Sequence, residues 1–296
     1  MERFIICNEC ARHCGALRTS QSNPSGFCGM PLEPVAAKAM LHRWEEPCIS
    51  GKGGSGAIFF TGCSMRCVYC QNRQITHEGY GVPITEDRLI AIMQSLEQKG
   101  AENINFVNPT HYAHVVESVL RRYRPGVPVV YNSGGYDSVY ALQRLEGLVD
   151  IYLPDWKYSS DELALRYSRA PHYTKSAAEA VGEMLRQQPA NEYGEDGVLR
   201  HGVIIRHLVL PGETENSRGV LEMIDRLFSN RVTFSLMSQY TPVPGVPPEL
   251  GRRLKPIEYK LVLRRLYQLG FENGYTQEFS SSQEEYIPDF NLEGIC

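Results

Sequence analysis

The chain predicts an α/β fold, and three observations carry that reading. From residue 57 onward, apolar runs of strand length alternate with segments of helical period. The strand-length runs are almost continuously apolar, as strands of a parallel sheet covered on both faces are. About six such βα units follow one another, which fits either a barrel or a doubly wound sheet; periodicity alone leaves that choice open.

The elements read in order as follows. The first fifty residues are mostly irregular, with Pro31, Pro34 and Pro47 among short cysteine loops and one short strand expected at 35–40. The pairs then run 57–61 with 85–99, 104–107 with 111–123, and 127–131 with 138–146. Strand 149–153 precedes two helices, 160–167 and 175–187; 203–210 pairs with 216–228, 232–237 with 257–269, and 275–278 closes the series. Thr85 before Glu86 and Asp87 is a helix cap with first-turn acids, repeated by Ser160 before Asp161 and Glu162. Gly100 and Gly270 stop their helices, Pro256 suits a first turn, and Leu89, Ile92, Met93 and Leu96 form one apolar stripe. No internal repeat or low-complexity tract is visible.

With 296 residues and 42% hydrophobic content the chain can bury a sizeable core. A net charge of −4 lacks the broad basic footprint of a generic nucleic-acid binder, so no nucleic-acid partner is expected. No apolar run approaches the roughly 18 residues of a spanning helix, so no membrane partner is expected either. Met1-Glu2-Arg3-Phe4-Ile5-Ile6-Cys7 turns polar too soon for a signal peptide, and a cytoplasmic location is expected. The expected organisation is a Cys-rich segment over 1–50, a barrel over 51–280 and a tail over 281–296.

Eight of the nine cysteines fall in the first quarter of the chain: Cys7, Cys10, Cys14, Cys28, Cys48, Cys63, Cys67 and Cys70. An odd count in a long chain argues against a secreted disulfide scaffold and for metal or redox chemistry. The sharpest signal is Thr61-Gly62-Cys63-Ser64-Met65-Arg66-Cys67-Val68-Tyr69-Cys70, where an apolar strand delivers three thiols at C-x3-C-x2-C. Thiolates select zinc, copper(I) or iron–sulfur clusters, and three protein ligands leave one metal position open. A zinc loop borrowing a fourth ligand, or buried reduced cysteines, are the alternatives.

Cys7, Cys10, Cys14 and Cys28, at C-x2-C-x3-C-x13-C, supply a closed set of four thiols. That number suits structural zinc or an additional cluster, and a short, poorly apolar segment gains most from a metal. Cys48 and Cys296 read as bystanders. Gly51-Lys52-Gly53-Gly54-Ser55-Gly56 matches G-x-G-x-x-G but precedes a strand instead of following one, so it reads as a flexible lead-in and not a dinucleotide site. His111 and His114 stand at i, i+3, and His111 and Tyr112 occupy a strand end that a substrate could reach.

The triplet, with Tyr69 directly before its last cysteine, resembles the radical S-adenosylmethionine superfamily. Further blocks are similar to its pyruvate formate-lyase activating enzymes: Cys70-Gln71-Asn72-Arg73, Tyr131-Asn132-Ser133-Gly134-Gly135, Leu153-Pro154-Asp155-Trp156-Lys157 and Arg206-His207-Leu208-Val209-Leu210-Pro211-Gly212. The ending from Gln277 to Phe290 resembles an activating-enzyme-like branch of unassigned role. The resemblance implies a partial (β/α)6 TIM-like barrel and a 4Fe-4S cluster on Cys63, Cys67 and Cys70. The open iron would be chelated by S-adenosylmethionine. Arg206, Asp155, Lys157, Asn132 and Tyr69 are the candidate cofactor-binding residues. Where the family usually carries Gly-Gly-Glu-Pro, this chain reads Asn108-Pro109-Thr110-His111, so Asn108 and the neighbouring backbone are the candidate acceptors for the methionine amino group.

The implied chemistry is reductive cleavage to a 5′-deoxyadenosyl radical that abstracts hydrogen, fed by an external donor such as flavodoxin or ferredoxin. A polypeptide substrate, such as the glycine of a glycyl radical enzyme, is the first reading and a small molecule the second. A non-catalytic iron–sulfur or zinc protein serving electron transfer or assembly is the alternative of another class.

Overall fold

A computed structural model describes residues 4–20, 26–230, 232–277 and 288–296. A hairpin of β1 (Phe4–Ile6) and β2 (Leu17–Thr19) precedes β3 (Val35–His42) and the short α1 (Pro47–Ser50). Next come β4 (Ser55–Phe60), α2 (Arg73–Thr76), β5 (Val82–Pro83), α3 (Glu86–Gln98), β6 (Ile104–Val107), α4 (Ala113–Arg122), β7 (Val129–Ser133) and α5 (Val139–Arg144). The chain continues with β8 (Ile151–Pro154), α6 (Asp161–Ser168), α7 (Tyr173–Gln187), β9 (Glu192–Tyr193) and β10 (Leu199–Leu208). It closes with α8 (Thr214–Phe228), β11 (Thr233–Met237), α9 (Pro256–Gln268) and β12 (Gly274–Thr276).

The sheet runs β12-β11-β10-β8-β7-β6-β4-β3-β5, and the pairings from β4 to β12 along it are all parallel. Each parallel strand lies beside its predecessor. A doubly wound sheet reverses its order at a switch point; this one never does, so it is the one-way winding of a barrel. It is a partial barrel, because antiparallel β3 and β5 end one side and β12 the other. Helices cover the outside, packed on a core that takes in Ile58, Phe106, Tyr131 and Tyr152, neighbours in register across four strands.

Local chemistry sets the element ends. Thr85 Oγ1 accepts from the Arg88 amide at 3.1 Å and Ser160 Oγ from the Leu163 amide at 3.3 Å. Leu89, Ile92, Met93 and Leu96 are all buried, as their spacing requires. The segment expected as one helix over 111–123 opens with a 3₁₀ turn at Thr110–Tyr112 before α4.

The N-terminal stretch departs most from expectation. β3 is eight residues long and pairs antiparallel with β4, which returns the chain to the bottom of the barrel. There α1 inserts Cys48 and Ile49 among Val130, Ile151, Leu153, Leu199 and Ile204, forming an apolar floor. Residues 35–50, which the sequence grouped with the cysteine loops, therefore pack as part of the barrel. The glycine run is also tied down: the Glu102 carboxylate accepts from the Lys52 and Gly53 amides at 3.1 and 2.9 Å. A Cβ at Gly53 would stand 2.2 Å from the Gly100 carbonyl oxygen, so close backbone approach, not looseness, explains that glycine. At the other end, Leu292 and Glu293 bond the backbone of Ala37 and Ala39 in β3. Most of the ending from Gln277 to Phe290 lies outside the described residues. No described helix is long and apolar enough to cross a membrane.

Candidate active site

The parallel strands aim their C-terminal ends at one cavity of about 260 Å³, lined by Cys63, Cys67, Cys70, Tyr69, Asn108, Asn132, Asp155, Lys157 and Arg206, among others. Every cofactor and barrel-cluster residue expected from the sequence therefore faces the same space. It is not the largest cavity: one of about 820 Å³ lies against the β9–β12 side, lined by Asn191, Tyr193, Thr233 and Tyr275 among others, and holds none of these groups. The chemistry, not the volume, selects the smaller one.

The three sulfurs sit on the loop that leaves β4, and each has a donor. The Met65 and Arg66 amides donate to Cys63 Sγ at 3.3 and 3.5 Å, Ser168 Oγ to Cys67 Sγ at 2.9 Å, and Thr76 Oγ1 to Cys70 Sγ at 3.3 Å. Burial, then the neighbouring Cys67, pushes the Cys63 thiol up and takes Cys70 to about 12. Without metal these two are neutral; a soft metal would take them as thiolates. Cysteine supplies three of the cavity's lining residues, and donors already aimed at the sulfurs fit a cluster held at three corners. Among the described residues, no group of three or more His, Cys, Asp or Glu side chains is arranged around a single metal ion.

A charged layer lies beneath the sulfurs. Arg206 on β10 donates from Nε to Asp155 Oδ1 at 3.0 Å, from Nη1 to Glu45 Oε2 at 3.0 Å, and from Nη2 to Asn132 Oδ1 at 2.6 Å. Lys157 Nζ donates to Asp155 Oδ2 at 2.5 Å. Alternation along the strand end works as expected: Asp155 and Lys157 enter the cavity, while Trp156 is fully buried outside against Phe228. Burial alone would raise the Asp155 carboxyl, but Lys157 and Arg206 outweigh it and hold it below its ordinary value. Burial alone would lower Lys157 and Arg206, and Asp155 leads the groups that raise both.

Glu45 is the residue that sequence reasoning missed. It reaches the interior from the turn after β3, where Asn105 and Asn132 also donate to its Oε1 at 3.2 and 3.1 Å. Its neighbour Glu46 is 9% exposed with Oε2 unpartnered, and burial drives its carboxyl upward against the pull of Arg206. A charge argument could have asked for such an acid, because Arg206 and Lys157 outnumber Asp155. Only the topology could locate it.

The remaining expected residues divide. Asn108 takes a left-handed backbone (φ 57°) and donates from Nδ2 to the Gly62 carbonyl at 2.6 Å, bracing the cysteine loop. Tyr69 lines the cavity with its hydroxyl 2.9 Å from that of Tyr158 and its ring near Tyr240. His111 and Tyr112 are fully buried and do not line the cavity. They are not where a substrate could reach: His111 Nε2 meets the Thr61 carbonyl at 2.7 Å and the Tyr112 hydroxyl meets the Val35 amide. His114 is likewise turned inward, its Nε2 3.2 Å from the Leu32 carbonyl. Cys7, Cys10 and Cys28 are buried together outside the barrel mouth, and Cys14 is exposed.

A partial parallel barrel with three thiols at the mouth of its first strand defines the class, and sequence comparison gives it a family. The chain belongs to the radical SAM superfamily, whose model matches residues 57–227. It is 29% identical over 280 residues to an uncharacterized protein of Methanocaldococcus jannaschii, covering 90% of this chain and 76% of that one. Among solved structures it is similar to methylornithine synthase (TM-score 0.48, 14% identity, 74% of this chain and 70% of that). It is also similar to Streptococcus suis SuiB bound to S-adenosylmethionine (TM-score 0.49, 11% identity, 75% and 50%). As a member, the chain is a radical SAM enzyme; the superfamily typically binds a 4Fe-4S cluster and S-adenosylmethionine and needs an external reductant.

Proposed function

We propose that Cys63, Cys67 and Cys70 hold the 4Fe-4S cluster, that the charged layer beneath them binds S-adenosylmethionine, and that the enzyme abstracts hydrogen from a polypeptide. The observation that carries this is one cavity combining three cysteines with Asn132, Asp155, Lys157 and Arg206. When bound, the cluster supplies the electron that cleaves S-adenosylmethionine to methionine and a 5′-deoxyadenosyl radical.

The chain's residues position and shield. Lys157, held cationic by Asp155, offers a charge-assisted donor to the methionine carboxylate. Asp155 and Asn132 present oxygens to the amino group or a ribose hydroxyl, and Asn108 steadies the loop through Gly62. Arg206 already spends its fork on Asp155, Glu45 and Asn132, so its role is to orient those acceptors instead of gripping the cofactor itself. Tyr69 supplies an apolar wall of the cavity, its ring backed by Tyr240, and helps to exclude water.

A cavity of about 260 Å³ lies below the roughly 300–1,000 Å³ usual for a drug-sized ligand. It offers no enclosed chamber for a substrate beside the cofactor, so the substrate approaches at the mouth, which suits a protruding peptide loop. This favours the activating-enzyme-like reading over a small molecule enclosed beside the cofactor. The test is anaerobic reconstitution with dithionite and S-adenosylmethionine, assaying 5′-deoxyadenosine and peptide-centred radicals with a glycyl-radical-type polypeptide added. Cofactor cleavage stimulated by the polypeptide, with hydrogen transferred from it, is expected. Cleavage indifferent to polypeptides but stimulated by a small metabolite would overturn the substrate class.

A further inference from the structure

We propose that Arg12, Arg66, Arg73 and Arg169 form the docking face for an acidic one-electron carrier protein that reduces the enzyme. The proposal rests on the reading of Cys63, Cys67 and Cys70 as cluster ligands, and it adds where the electron enters. Four separate pieces of chain bring these arginines to the cysteine loop. Arg12 comes from the N-terminal segment, Arg66 from the loop itself, Arg73 from α2 and Arg169 from the residue after α6. Arg12 donates to the Ser64 and Arg169 carbonyls. The Phe27 ring lies 3.5 Å from its guanidinium and 5.5 Å from that of Arg66. His77, whose ring meets Thr76 Oγ1 at 2.9 Å, has Arg73, Arg66 and Arg169 as its charged neighbours. None of the four arginines lines the cofactor cavity; Arg73 and Arg169 are exposed, and Arg12 and Arg66 half-buried. They stand behind the sulfurs, toward solvent.

Each sulfur is one hydrogen-bonded residue away from this face. The amide of Arg66 itself donates to Cys63 Sγ at 3.5 Å. Ser168, next to Arg169, donates to Cys67 Sγ at 2.9 Å, and Thr76, on the same short helix as Arg73, donates to Cys70 Sγ at 3.3 Å. The charge is not neutralised locally. Among the described residues no carboxylate forms an ion pair with Arg12, Arg66 or Arg169, and Arg73 meets Glu78 at 3.8 Å with both side chains exposed, a contact that water screens. The chain as a whole carries −4, so a positive face stands against the overall sign and steers an acidic partner to one place. The backbone adds an independent observation. Arg66 (φ 52°) and Arg169 (φ 49°) both take the left-handed conformation, where a β-carbon is disfavoured and glycine is the ordinary choice. The turn does not ask for arginine at either place; the guanidinium accounts for it. The step itself is a single electron transfer: the carrier is oxidised by one electron and the cluster reduced by one, with no bond made or broken.

The test uses the full reconstituted chain and, as probe, a flavodoxin of strongly negative net charge. The double variant Arg73→Glu with Arg169→Glu is compared with Lys99→Glu with Arg264→Glu, an equal reversal of charge at the end of α3 and on α9. One readout is affinity for flavodoxin by surface plasmon resonance, which needs no turnover. The other is 5′-deoxyadenosine formation, driven either by reduced flavodoxin or by dithionite. The Arg73 and Arg169 variant should bind flavodoxin at least about tenfold more weakly at low salt. It should lose flavodoxin-driven product to match and keep its dithionite-driven product. Wild-type affinity should fall as salt rises. Unchanged affinity, an equal loss with dithionite, or equal weakening in the Lys99 and Arg264 variant would each overturn the proposal. Flavodoxin binding that depends on Arg73 and Arg169, with no product from the wild type and dithionite, would instead overturn the cofactor reading.

Discussion

The two cysteine groups of this chain are neighbours built for opposite ends. The barrel triplet opens on a cavity whose other walls are Asn132, Asp155, Lys157 and Arg206, a set of donors and acceptors waiting for a charged ligand. Among the N-terminal cysteines, Cys28 Sγ accepts from the Arg18 guanidinium at 3.1 Å, and the Tyr112 ring lies 5.9 Å from that guanidinium. The three barrel sulfurs stand beside polar and charged side chains in one cavity, whereas Cys7, Cys10, Cys14 and Cys28 line no part of it. The two groups differ in the company they keep.

Removing one barrel ligand should break the comparison most completely. Cys67→Ala is expected to lose the barrel iron and to lower 5′-deoxyadenosine formation by at least about a hundredfold. Iron content and product chromatography read both. Next in size is the layer below. Arg206→Met would leave Glu45 in the interior without its cation and Asp155 with Lys157 alone, at a cost of about 3 kcal/mol, visible as a lower denaturant midpoint of the apoprotein.

A smaller effect lies between the two groups. His111 bonds Arg18 through its carbonyl and Thr61 through its ring, joining the quartet to the loop that carries the triplet. Burial lowers His111 from 6.5 to about 3, and His114 and His207 to about 4. Between those values and 6.5 the unfolded chain binds protons that the folded chain refuses, so stability falls as pH drops. Apoprotein denaturation at pH 7.5 and pH 5 should differ by a few kcal/mol, with His111→Gln reducing the slope.

Much of this was legible before any coordinates. Asn132, Asp155, Lys157 and Arg206 could be found because the blocks around them resemble those of the radical S-adenosylmethionine superfamily, while the near-continuous apolar strands pointed to a parallel α/β fold. Alternation correctly sent Trp156 one way and Asp155 and Lys157 the other. Glu45 and Glu46 stayed hidden because they follow β3 in an irregular turn without periodicity, and only the antiparallel return of β3 brings them inside. Arg18 was hidden for the same reason: nothing local to a three-residue strand says that its guanidinium will be buried against sulfur. His111 and Tyr112 follow a strand end yet do not reach the rim, because the N-terminal segment covers that corner through Arg18, Val35 and Leu32.

The most direct measurement is the electron paramagnetic resonance spectrum of the dithionite-reduced, reconstituted protein with and without S-adenosylmethionine. An iron left vacant by three cysteines predicts a cluster signal that shifts when the cofactor is added and is absent in Cys67→Ala. A signal that ignores the cofactor, or survives that substitution unchanged, would contradict the account.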